Sequence, residues 1–119
     1  NLSRHQTLCE EFVTDKTFLE TLVIVLDHTL RDLVFYTVGI IINITLHPSA
    51  RPKVLDKQVL PKLIDVLKDS NIEDFDLAKV AGKALHNMMS ETNYWTQEII
   101  NKLDEVLDNL GKEMDYIMV

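Results

Sequence analysis

Residues 59–67 read VLPKLIDVL, and two further segments answer to them: FLETLVIVL at residues 18–26 and IINKLDEVL at residues 99–107. Their first residues, Phe18, Val59 and Ile99, lie at steps of 41 and 40 residues. A second mark recurs beside the first. Asn1-Leu2-Ser3, Asn43-Ile44-Thr45 and Asn87-Met88-Met89 follow one another at steps of 42 and 44 residues. Two marks that share one period are the signature of a helical solenoid, in which each unit buries its apolar face only against its neighbours.

The unit around 59–67 is the fullest. Leu60, Leu63, Ile64 and Leu67 fall at spacings of three and four, which predicts the buried stripe of a medium helix over 60–68. Pro61 suits the first turn of that helix, where no backbone donor is lost. Asp69-Ser70-Asn71 reads as its stop. Upstream, a short helix is predicted over 49–56, opened by Pro48 or Ser49, with Pro52 tolerated near its first turn. Downstream, a long helix is predicted over 76–90, capped by Asp74, with Leu77, Val80, Ala81, Ala84, Leu85 and Met88 on its core face. Ala81, Gly82 and Ala84 are small, so a neighbouring helix is expected to approach closely there.

The preceding long helix is predicted over 30–46. Its apolar run, LVFYTVGIIINITL at 33–46, falls short of the roughly 20 residues a membrane span needs and reads as a helix buried on most sides. Gly39 stands there at the register of Lys83. A glycine inside a helix costs about 1 kcal/mol against alanine. Close packing or a nearby ligand backbone would account for it, and close packing is the commoner reason. The first, partial unit has predicted helices over 4–11 and 16–28. The last has a short segment over 93–97 and a helix ending near Leu110, with Gly111 as its C-cap. The chain is therefore expected to be one domain made of a partial unit 1–46, a fuller unit 47–90 and a partial unit 91–119. It reads as a piece of a longer solenoid.

Three helices per period, a medium helix with a Leu-x-x-Leu-like stripe and an Asn closing the long helix together resemble the armadillo repeat. The residues that carry the resemblance are Leu22/Val25/Leu26, Leu63/Val66/Leu67 and Leu103/Val106/Leu107, with Asn1, Asn43 and Asn87. It covers essentially the whole chain. The resemblance implies an all-α, right-handed superhelical solenoid. The related HEAT repeat fits less well, having two helices and internal Asp or Arg signatures not found here.

The resemblance also implies a binding face. Armadillo long helices line a groove in which an extended peptide or a partner helix lies, and the closing Asn reaches the partner's backbone; here that points to Asn43 and Asn87. An amide offers both a donor and an acceptor, so it pairs with any main chain. It equally bonds its own backbone or the neighbouring unit, and both readings stand. Nuclear-import receptors of the family place a Trp one turn earlier to hold basic peptides. Gly39 and Lys83 occupy those positions, so an import role is not implied. Lys79 and Lys83, four apart on one helix face, make a positive strip suited to an acidic or phosphorylated partner. The equivalent face of the preceding long helix is apolar, with Phe35, Gly39 and Ile42, and either packs under a neighbouring helix or holds a partner's hydrophobic anchor. The candidate partner-binding set is thus Phe35, Gly39, Asn43, Lys79, Lys83 and Asn87. Tyr94 and Trp95, paired aromatics in a turn segment, could form a partner hot spot, but more often such a pair roofs the gap between two units, and Arg51 is the candidate for tying the short helix to the body.

Composition narrows the partner. Lys and Arg total 12 against 19 Asp and Glu, a net charge of −7. An acidic domain is a poor general binder of nucleic acid or anionic lipid, whose phosphates need a positive field. The single cysteine, Cys9, excludes an internal disulfide framework. His5, His28, His47 and His86 are scattered, with no second ligand at metal-binding spacing. The three glycines form no phosphate loop. Glu73, Asp74 and Asp76 complement a helix start without needing a metal. No catalytic residue, metal or cofactor is therefore expected. The expected function is a non-catalytic scaffold or adaptor segment that binds another protein, in the cytoplasm or, by resemblance, a cilium or flagellum. The alternative is a purely structural segment packed within its own larger protein or a permanent assembly.

Overall fold

The computed structural model describes residues 15–70 and 75–118. Every regular element among them is helical: α1 (Lys16–Val25), α2 (Arg31–Thr45), α3 (Arg51–Leu55), α4 (Val59–Asp69), α5 (Phe75–Asn87), a 3₁₀ turn (Thr92–Tyr94) and α6 (Gln97–Met118). The helix expected over 4–11, the Asp74 cap and the Asn1 mark lie outside the described residues.

Local chemistry sets most boundaries. Asp15 caps α1, its carboxylate accepting from the Phe18 N–H at 3.1 Å. Such a cap satisfies one of the donors orphaned at a helix start. Arg51 and Pro52 open α3, where proline costs no hydrogen bond. Between α3 and α4 the chain turns through Gln58, at φ 58° and ψ 40°, the sole non-glycine residue with positive φ among those described. That left-handed conformation is what reverses the backbone in so few residues. α4 stops at Asp69 because Ser70 is extended, with its buried hydroxyl donating to Leu67 O at 2.6 Å.

Packing builds one continuous core. Leu19, Leu22 and Leu26 of α1 join Val34, Val38 and Ile41 of α2, the α4 stripe, and Leu77, Ala81, Ala84 and Leu85 of α5. α5 lies against both α2 and α4, and α6 packs on α4. Leu63 and Ile64 are wholly buried at the centre. Ala81 and Ala84 are wholly buried too, as a close helix contact requires. Two polar contacts show that α2 and α5 run side by side in the same direction. Arg31, opening α2, donates to Asp69 O at 2.9 Å, at the end of the helix preceding α5. At the other end Asn87, closing α5, meets Ile42 and Thr45 near the end of α2.

The medium helices are stitched by a recurring ion pair. Lys62 of α4 pairs with Asp27, just past α1. Lys102 of α6 pairs with Asp65 of α4 at 2.7 Å. Lys62 and Lys102 hold the same register in VLPKLIDVL and IINKLDEVL. Each lysine thus reaches back to an acidic group on or beside the preceding medium helix.

Three expectations are corrected. Gly111 does not cap a helix: α6 runs through it to Met118, because nothing around it forces the left-handed turn that a glycine cap requires. Gly39 and Gly82 do not mark close packing, since a Cβ at either position would meet nothing within 4 Å. And α2 is not enclosed on most sides, for Leu33, Tyr36 and Ile40 are exposed along it.

Candidate functional site

Phe35, Gly39 and Asn43 follow one another four apart on α2, as Lys79, Lys83 and Asn87 do on α5. At 3.6 residues per turn, each step of four advances about 40° around the helix. The last residue of each trio has therefore turned well away from the first, and this separates the candidates.

Asn87 has turned toward α2. Its amide nitrogen donates to Ile42 O at 3.2 Å and lies 3.3 Å from Thr45 Oγ1. The Thr45 hydroxyl is wholly buried and donates to Ile41 O at 2.7 Å. Asn87 therefore spends its donors on the seam between two long helices. Asn43 holds the corresponding position on α2. It is exposed. Asn87 is thus engaged in the seam, whereas Asn43 is open to solvent.

The other four hold equivalent registers on the two parallel helices. Asn87 is level with Ile42–Thr45, so Lys83, one turn earlier, stands level with Gly39, and Lys79 level with Phe35. Phe35 and Gly39 are half-buried; Lys79 and Lys83 are exposed. A Cβ added at Gly39 would meet nothing within 4 Å, so the space over this turn of α2 is open. Lys79 is also drawn to an aromatic partner that the sequence reading missed. Its Nζ lies 5.0 Å from the Phe75 ring centroid, a cation–π contact on a ring that is itself exposed. The helical spacing of 75 and 79 carried that signal. Phe35 meets Tyr36 edge-on, with centroids 5.7 Å apart and planes at 81°. These positions thus offer two positive charges, an exposed Phe75 ring and open space at Gly39.

Tyr94 and Trp95 both bond to the chain itself. Trp95 Nε1 donates to Met88 O at 2.9 Å, covering the turn after α5. The Tyr94 hydroxyl donates to Asp56 Oδ1 at 2.7 Å and ties that turn to the end of α3. The hydrogen bond to the Asp56 carboxylate raises the phenol above its ordinary value of 10.0, helped by desolvation and by the negative charges of Asp56 and Glu91. Beside this tie, Leu55, Leu60, Pro61, Ile99 and Lys102 line a surface cleft of about 360 Å³. Arg51 donates to Thr45 O at 2.7 Å, binding α3 to the end of α2.

Chemistry on a substrate would need a cluster of groups. Among the described residues no three His, Cys, Asp or Glu side chains gather as metal ligands do. No described helix is long and apolar enough to cross a membrane.

No protein-family profile matches the chain, and no solved structure does. Over 87 residues, 73% of the chain, it is 29% identical to Armadillo repeat-containing protein 2 of Bos taurus. The chain spans about 10% of that relative's length. The chain, whose described regular elements are all helical, is thus distantly similar, over most of its own length, to a protein named for its armadillo repeats.

Proposed function

We propose that this chain is a non-catalytic protein-interaction segment of an armadillo-like, right-handed solenoid, with units at 1–46, 47–90 and 91–119. In this reading a partner segment lies across α2 and α5, with Lys79 and Lys83 facing acidic or phosphorylated groups and its backbone passing over Gly39. The observations that support the reading are the open space above Gly39 on α2 and the two exposed lysines at the equivalent register of the parallel helix α5. A mid-helix glycine without a packing reason costs stability, and an approaching backbone supplies the missing reason. The distant likeness to an armadillo protein supports a protein as the partner. The cytoplasm, a cilium or a flagellum is the setting suggested by the resemblance.

The test is affinity capture from the cells that make this protein, with wild type beside Lys79→Glu/Lys83→Glu. A specific partner lost from the charge-reversed protein, with its melting temperature unchanged, supports the reading. Identical partners at identical affinity overturn it.

A further inference from the structure

Arg51 uses only part of its guanidinium to tie α3 to α2. Nε donates to Thr45 O at 2.7 Å. Nη1 lies 3.4 Å from the Ser90 hydroxyl, a long contact to a neutral acceptor. No carboxylate pairs with Arg51 among the described residues, whose ion pairs run through Lys57, Lys62 and Lys102 instead. In a chain of net charge −7, a guanidinium is thus anchored by one nitrogen while its outer fork faces a serine. Ser90 is exposed, in the turn that follows α5 at Asn87. That turn is held by local backbone bonds such as Glu91 N–H to Met88 O at 3.1 Å. A shift of 44 residues, set by Asn43 and Asn87, puts Leu46 at the register of Ser90 and Trp95 at that of Arg51. Neither member of the pair recurs, so the pair is particular to this place and not a feature of the repeat.

We propose that Ser90 is a phosphorylation site whose phosphate is received by the Arg51 fork. A protein kinase transfers the γ-phosphoryl group of a nucleoside triphosphate. The bond between Ser90 Oγ and that phosphorus forms, the bond from the phosphorus to the β–γ bridging oxygen breaks, and the hydroxyl proton leaves to a base of the kinase. The weak contact becomes a charge-assisted one, because the phosphate brings about −2 charge and three strong acceptor oxygens. The planar guanidinium matches a phosphate with two parallel donors. Arg51 also holds Thr45 O, and the Thr45 hydroxyl lies 3.3 Å from the Asn87 amide. The modification therefore closes a ring of polar contacts around the ends of α2 and α5 and the start of α3, and it stiffens that seam. Glu91 and the carbonyl end of α5 both oppose an anion here. The sign of the effect thus rests on the guanidinium. This inference is independent of the partner proposed for Lys79 and Lys83.

Two measurements test it. Phosphoserine is placed at position 90 during synthesis by stop-codon suppression, in wild type, Arg51→Lys and Arg51→Gln, and each product is melted beside its own unmodified chain. The loss of the Thr45 tie then cancels within each comparison. Phosphorylation is expected to raise the melting temperature of wild type by about 2–5 °C, to raise that of Arg51→Lys by less, and to lower that of Arg51→Gln. Arg51→Lys keeps the charge without the fork and decides the matter if Arg51→Gln does not fold. A fall in wild type, or a gain undiminished in either variant, overturns the proposal. Inorganic phosphate at millimolar concentration is added to the unmodified wild-type chain as a control. A gain from it equal to that of phosphoserine assigns the fork to a free anion and overturns the proposal as well. The second measurement is mass spectrometry of the protein isolated from its own cells under serine/threonine phosphatase inhibition. Phosphate on Ser90 is expected, and an unmodified Ser90 overturns the assignment.

Discussion

The Asn87 amide nitrogen lies 3.3 Å from the buried hydroxyl of Thr45, and this contact joins the ends of two long helices whose sequences repeat each other. Asn87 belongs to the same recurring mark as Asn43-Ile44-Thr45, so one copy of the mark is fastened to the copy before it. Asn87→Ala leaves Ile42 O and Thr45 Oγ1 without this donor and is expected to cost about 1–2 kcal/mol. A double-mutant cycle with Thr45→Val, read by chemical denaturation, should give a coupling of about 0.5–1.5 kcal/mol. A coupling of zero would mean that the contact adds nothing to the seam.

Replacing Gly39 by Ala should stabilise the chain by about 0.5–1 kcal/mol, because the added methyl meets nothing and helix entropy is recovered. Gly82→Ala should do the same. If a partner backbone crosses α2 at residue 39, Gly39→Ala weakens that partner while Gly82→Ala does not. Melting temperatures and partner affinities of the two variants check both halves.

Leu67 and Leu107 occupy the same place in their segments, yet Leu67 is 5% exposed and Leu107 49%. Leu67→Ala should cost about 2–5 kcal/mol, the range for a buried leucine. Leu107→Ala should cost about 1 kcal/mol or less. Equal losses would contradict the packing described for α4 and α6.

The Lys62–Asp27 and Lys102–Asp65 pairs lie at the surface. Each should contribute about 0–1 kcal/mol, and less in concentrated salt. Lys62→Met and Lys102→Met are therefore expected to lower the denaturation midpoint slightly in dilute buffer and to match wild type in high salt.

Tyr94 provides a pH signature. A phenol whose folded-state pKa lies above its ordinary value of 10.0 contributes stability that is complete below that value and is lost as pH rises through the folded pKa. Wild type should exceed Tyr94→Phe in stability at neutral pH by a constant margin that shrinks in strong alkali. A margin that widens with pH would mean the Tyr94–Asp56 bond is not made.

Much of this architecture is legible residue by residue. The spacing of Leu60, Leu63, Ile64 and Leu67 predicts which side of α4 is buried, because a helix carries its periodicity in local sequence whatever surrounds it. Asp69-Ser70 marks the stop of α4, and Pro52 and Pro61 mark first turns, for reasons confined to a few neighbouring dihedrals. Tyr94, Trp95 and Arg51 are recognisable as ties between segments. The candidate binding residues are legible as equivalent positions on two repeating helices, but the spacing of four that links Lys79 and Lys83 to Asn87 hid a drift of about 40° per step, which carries Asn87 into the seam with α2. Tertiary contacts decide what remains. Gly111 sits inside a helix because no turn is imposed on it, and Gly39 is open because its neighbour helix stands to one side. Leu33 and Ile40 are wet where their counterparts Leu77 and Ala84 are dry. A side chain's periodicity belongs to its own helix, but its burial depends on whether another helix lies alongside, and residues 42 to 44 positions away determine that.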